Sequence, residues 1–182
     1  MFGTLRSDIQ RYKKKPADNT LLTAVVAAYV HPSFFGIVWY RLGRALWLRK
    51  RNPLFFLLLL INRLFYPLVR LYSGLELSPR TQIGPGLWIG HFGPTVIHAD
   101  VVAGKNLTLV HGVTLGSSTF GVPCLGDNVS IGSGAKVIGG ILVGDKATIA
   151  AGAVVTRDVP GGAVVGGIPA KELRKSPEDL KL

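Results

Sequence analysis

From Leu77 to Val155 an aliphatic residue returns at nearly every sixth position, with polar and small residues between. The positions are Leu77, Ile83, Ile89, Ile97, Ala103, Leu109, Leu115, Leu125, Ile131, Val137, Val143, Ile149 and Val155. The spacing is six throughout, except for eight from Ile89 to Ile97 and ten from Leu115 to Leu125. A second small or aliphatic residue precedes most of them by two, as at Val101, Leu107, Val113, Val129, Ala135, Ile141, Ala147 and Ala153. A hexapeptide period is the signature of a parallel β-helix, in which short strands stack into a solenoid. Three hexads make one triangular coil if the solenoid is of the left-handed hexapeptide type. The coils are then 77, 83, 89; 97, 103, 109; 115, 125, 131; and 137, 143, 149. The two long intervals are insertions, and solenoid insertions map to loops that tend to build the binding face.

Before the repeat the pattern is helical. Residues 4–15 read as a short basic helix opened by Thr4 and ended by Pro16. A small apolar helix over 21–30 follows, then the break His31-Pro32-Ser33 and a helix over 33–51 capped by Ser33. After Asn52-Pro53 comes a continuous apolar run from Leu54 to Ile61. That run is shorter than the roughly 20 residues of a spanning helix. Arg63, Tyr66 and Arg70 fall on one face of its continuation. Two readings stand: an amphipathic helix packed on its neighbours or another subunit, and an interfacial helix with its apolar face in lipid. The expected domains are a basic α-helical part over 1–75, a left-handed β-helix over 76–160, and a C-terminal turn and tail over 161–182. The fold class is mainly β.

Charge sharpens this division. Residues 1–75 hold 12 Lys/Arg against two acids, while residues 76–182 hold nine against eight. Nucleic acid, an anionic membrane or an anionic substrate could each answer the base. No aromatic-interleaved basic patch accompanies it, so nucleic acid is set aside and an anionic membrane surface preferred. The single cysteine, Cys124, excludes an internal disulfide framework. The first residues lack a signal-peptide pattern. The expected location is cytoplasmic, with a peripheral place at the inner face of the membrane.

Histidines carry the candidate chemistry. His91 follows Ile89 by two and His111 follows Leu109 by two, so they occupy equivalent places on consecutive coils. Their Cα atoms should lie about 4.8 Å apart, the strand-to-strand spacing. Two imidazoles on one edge, beside the first insertion, suit proton transfer or metal binding. His98 and His31 read as structural.

From Glu76 to Lys171 the chain resembles the serine acetyltransferase family of hexapeptide acyltransferases, and most closely its exopolysaccharide and colanic acid branch. Segments that carry the likeness are Glu76-Leu77-Ser78-Pro79, Ile89-Gly90-His91-Phe92-Gly93, His111-Gly112-Val113-Thr114-Leu115-Gly116 and Gly167-Ile168-Pro169-Ala170-Lys171. The resemblance implies a homotrimer or dimer of trimers with sites between subunits, acetyl-CoA as co-substrate, and no metal. It makes His91 the general base that accepts the proton of the attacking hydroxyl. Glu76 stands in the place of the family's orienting carboxylate, 15 residues before His91. For the donor it points to Gly134, Ala135, Gly152 and Lys171.

The departures concern the acceptor. Aspartates that meet the amino-acid ammonium in the family are matched here by Lys15 and Gly90, and a second histidine by Val122. His111 stands where serine enzymes typically carry a glutamine, so Val122 and His111 are the expected acceptor contacts. These changes favour a saccharide hydroxyl, as in an exopolysaccharide or sugar precursor. L-serine is the alternative acceptor. A hydratase similar to γ-class carbonic anhydrases, which needs three histidines, and a non-catalytic scaffold are alternatives of other classes.

Overall fold

The computed structural model describes residues 2–12, 29 and 31–174. Among the described residues three helices with assigned bounds precede the solenoid: α1 (Phe2–Gln10), α2 (Pro32–Leu48) and α3 (Pro53–Ser73). The helix expected over 21–30 lies outside the described residues apart from Tyr29, as do Lys15 and the end of the helix expected over 4–15. Asn52 caps α3 by accepting from the Leu54 N–H at 2.9 Å, and Gly74, at φ 69, ends it in the left-handed conformation.

The solenoid has three sheets, and from Leu77 to Val155 the parallel registers match the hexapeptide reading. One sheet runs β1 (Leu75–Leu77), β4 (Thr95–Ile97), β7 (Thr114–Gly116), β10 (Lys136–Ile138), β13 (Val154–Val155). The second runs β2 (Gln82–Ile83), β5 (Val102–Ala103), β8 (Cys124–Leu125), β11 (Leu142–Val143). In the third are β3 (Trp88–Gly90), β6 (Thr108–Val110), β9 (Ser130–Ile131), β12 (Thr148–Ile149), β14 (Val164–Gly167) and β15 (Ala170–Arg174). Leu77 pairs with Ile97, Ile83 with Ala103 and Ile89 with Leu109, and so on down each face. All thirteen repeat positions are buried, and their columns form the core. Pairing continues beyond Val155: Val143 bridges Val159, and Val165 pairs with Ile149. The segment expected as turn and tail thus opens with the antiparallel hairpin β14–β15.

The first coil has no preceding strand to pair with. Its backbone groups would be left bare under the helices, at several kcal/mol for the set. One tyrosine hydroxyl serves each sheet instead. Tyr66 Oη accepts from the Leu77 N–H at 3.0 Å on β1. On β2, Tyr40 Oη accepts from Ile83 N–H at 3.3 Å and donates to the Thr81 carbonyl at 2.8 Å. At β3, Tyr12 Oη accepts from Ile89 N–H at 3.2 Å and donates to the Ile89 carbonyl at 3.1 Å.

A buried ion pair serves the turns between these strands. Asp8 and Arg41, with 0% and 5% of their side chains exposed, meet through Nε–Oδ2 at 2.7 Å and Nη2–Oδ1 at 3.1 Å. Asp8 Oδ1 also accepts from the N–H groups of Gly86 and Leu87, both at 2.8 Å. Arg41 donates to the carbonyls of Ile83 at 2.6 Å and Gly84 at 2.7 Å. Each buried charge therefore has partners on the other helix and on the first coil, as a buried pair requires.

Tyr40→Phe strands one N–H and one carbonyl and should cost about 1–3 kcal/mol. Asp8→Ala leaves the Arg41 charge alone and should cost about 3–5 kcal/mol. Thermal or denaturant melting checks both. Burial raises the phenol pKa of Tyr12, Tyr40 and Tyr66, against the pull of their backbone hydrogen bonds and neighbouring arginines. Stability should therefore be full below about pH 10 and fall above it, as the unfolded phenols ionise first; melting against pH tests the sign.

Candidate active site

The chain leaves β3 at Gly90 and turns a solenoid corner at His91. His91 has φ 65, a region seldom used by residues other than glycine. Two contacts hold it there. Ser33 Oγ donates to the His91 carbonyl at 2.8 Å, and the Tyr12 bridge fixes Ile89 two residues earlier. Ser33 is thus not the cap of α2; that place falls to His31, which makes no side-chain cap bond. Its hydroxyl ties the start of α2 to the corner.

His111 lies on the next coil, in register, since Gly90 pairs with Val110. The two imidazole rings stand edge to face with centroids 5.9 Å apart, and both residues are exposed. Gly93 permits this approach: a Cβ there would come within 2.8 Å of His111 Cβ. The expected stacking of the two histidines is present.

Gly90 has a different reason to be glycine. A Cβ on it would collide with the six-membered ring of Trp88. The indole fills the space that any side chain at Gly90 would need. Trp88 is half-buried, with its ring 6.2 Å from that of Tyr12.

Glu76 points outward from β1. Its carboxylate accepts from Arg70 at 3.2 Å, with both side chains about half exposed. It lines a cleft of about 430 Å3 with Arg63, Tyr66, Ser78, His98 and Ser117. No hydrogen bond joins it to His91 among the described residues. Gly74, two residues before it, lies against Gly93, so the two ends of the arrangement are near neighbours.

The remaining candidates separate. Val122 is half-buried and packs on the solenoid core. Its loop folds as a tight hairpin, with Ser118 and Gly121 exchanging backbone bonds at 2.9 and 3.2 Å and Phe120 89% exposed at the tip. Ala135 is wholly buried and its carbonyl accepts from Thr114 N–H at 3.0 Å, so its methyl belongs to the core and is not open to a ligand. Gly134 and Gly152, at φ 70 and 69, have open space where a Cβ would stand. The N–H of Gly134 donates to the His111 carbonyl at 2.9 Å and that of Gly152 to the Ser133 carbonyl at 2.8 Å, which places the two glycines on successive coils of the corner edge below the histidines. Lys171 is exposed on β15, in the sheet whose strands end at this edge.

A model of the bacterial transferase hexapeptide (six repeats) matches residues 125–157. The serine acetyltransferase of Synechococcus elongatus is 35% identical over 181 residues, 97% of this chain and 70% of the relative. That of Mycobacterium tuberculosis is 33% identical over 180 residues, 97% and 75% of the two chains. The chain belongs to the serine acetyltransferase family.

Two solved members of the family superpose well. A Neisseria gonorrhoeae serine acetyltransferase in complex with serine has a TM-score of 0.75 and 33% identity, covering 93% of this chain and 68% of the other. A Brucella abortus serine acetyltransferase in complex with Coenzyme A has a TM-score of 0.77 and 29% identity, covering 96% and 68%. The protein is accordingly an acyltransferase, and the hydratase and scaffold readings give way. The exopolysaccharide branch gains no support from these relatives, which are named for serine.

Three residues of the corner were not singled out as site residues in the sequence: Ser33, Tyr12 and Trp88. Ser33 has the only readable signal, a small hydroxyl residue after a helix break, and that signal points equally to capping. Ser33→Ala should lower kcat for acetyl transfer about tenfold, the scale of one hydrogen bond to a positioned group, with KM little changed. Steady-state kinetics beside an unchanged melting curve distinguishes this from loss of fold.

Proposed function

We propose that the protein transfers the acetyl group of acetyl-CoA to the hydroxyl of L-serine, with His91 as general base. The paired histidine corner is the observation that carries the chemistry. The acceptor rests on the relatives, one of which was solved with serine, and the donor on another solved with Coenzyme A. A hydroxyl is a weak nucleophile until a base accepts its proton as the new bond forms. His91, exposed at a corner and fixed through its carbonyl, offers such a base. The acceptor oxygen attacks the thioester carbonyl while its proton passes to the imidazole. The tetrahedral intermediate then expels the CoA thiolate, which takes the proton back from the imidazolium. Acetyl ester and free CoA thiol result, and the histidine is restored.

Glu76 serves this cycle as the orienting acid when its carboxylate turns from Arg70 toward the corner. His111 contacts the acceptor. The donor lies along the corner edge past Gly134 and Gly152, where no side chain stands in its way. From β3 to β14 the edge crosses four strand spacings, about 19 Å, and Lys171 beyond it meets a phosphate of the donor.

A second acceptor reading has its own support. Trp88 occupies the space that an ammonium-binding aspartate would need at Gly90, and Val122 packs on the core where the family carries a histidine. A saccharide hydroxyl brings no ammonium to be met, and an indole face suits a sugar ring.

His91→Ala should reduce kcat by about 10²–10⁴-fold without altering the melting curve; thiol release from acetyl-CoA measures it. In the same assay serine should be turned over and saccharides should not. Saccharide turnover with serine inert would remove the serine assignment and leave His91 as base. Lys171→Ala should raise KM for acetyl-CoA roughly fivefold, as for one exposed charged contact, and leave KM for the acceptor alone. An unchanged KM for acetyl-CoA excludes Lys171 from the donor site.

A further inference from the structure

Helix α3 is packed along only one stripe. Leu59, Asn62, Val69 and Ser73 are buried, and at 3.6 residues per turn they share one side. On the opposite side Leu57, Leu60, Ile61, Leu64, Leu68 and Leu71 are all exposed, Leu71 by 78%. No polar side chain interrupts this face. Only 17% of the most apolar window of the 21-residue helix is buried, although it is apolar and long enough to cross a membrane. So large a contiguous apolar face on a folded surface marks an interaction site.

The helix does not stand free to cross. Gly74 runs directly into β1, and α2 packs beside α3 with Arg41 held in the first coil. The apolar face can therefore lie on a bilayer, with the solenoid outside it.

Charge identifies the partner. From Asn19 to Leu75 the chain contains no acid. Arg49, Lys50 and Arg51 are exposed at the turn before α3, and Arg63 is exposed on its flank. The Arg49 guanidinium lies 5.8 Å from the Phe55 ring centroid, which holds it at the N-terminal end of the helix, one turn before Leu59. A second copy docked here would bring the same cations against these, whereas anionic headgroups complement them. We propose that α3 rests in the plane of an anionic membrane surface, its leucine face among the acyl chains and these four cations at the headgroups.

The test uses the full chain and sedimentation with phosphatidylcholine vesicles, with or without phosphatidylserine. The protein should bind the phosphatidylserine vesicles and be released by salt. Joint Leu64→Glu and Leu68→Glu substitution should lower binding at least about tenfold, since a charge on the lipid face is costly, while melting and thiol release stay as in the parent. Joint Arg49→Gln, Lys50→Gln and Arg51→Gln substitution should lower it about fivefold per cation. Absence of binding by the parent, or equal binding by the glutamate variant, overturns the proposal. Equal binding to neutral vesicles overturns the anionic surface. A parent whose mass by light scattering falls in the glutamate variant, with no vesicle binding in either, assigns the face to a second copy and also overturns it.

Discussion

A solenoid of paired strands has to begin somewhere, and its first coil carries unpaired backbone on three sides. In this protein that constraint is met by side chains. Tyr66, Tyr40 and Tyr12 each give one hydroxyl to one sheet, and Asp8 with Arg41 serves the turns between. The helices are placed by this requirement. Each brings one or more of these groups, or follows them in the chain, and the hydrophobic contacts of Phe34 and Ile37 fill in around them. Without those bonds a stack of two- and three-residue strands would present open edges to water and to other chains.

The same closure builds the site. Tyr12 fixes the last strand before the corner, and Ser33, on the helix that carries Tyr40 and Arg41, takes the carbonyl of His91. Cap and histidine corner are thus one piece of structure. His91 can occupy a left-handed backbone position because both neighbours of the turn are held, and strain of this kind persists where its surroundings over-determine it.

Much of this was legible in the chain. The hexapeptide period located every core column, because a solenoid repeats one environment and so repeats one residue type. Register follows from counting along the repeat, and the count alone sets His91 beside His111. Single side chains were harder. Glu76 keeps the spacing of the family's orienting acid, yet its carboxylate is held by Arg70, a partner from a helix whose placement no repeat encodes. Ala135 looked like a small residue left for a ligand, and is small because the core is narrow there. Ser33 reads as a cap and acts across 58 residues of chain. Long-range contacts of single residues leave no period behind, so only the three-dimensional arrangement reveals them.

One further consequence attaches to the three tyrosines. A parallel solenoid offers two ends on which another copy could be laid, coil upon coil, and so grow into a filament. Here the N-terminal end is occupied by phenols and by an ion pair in place of one further strand for each sheet. Rod-to-rod growth in that direction has no backbone left to bind. Copies of this chain can meet along their sides, parallel to the axis, where the histidine corner runs.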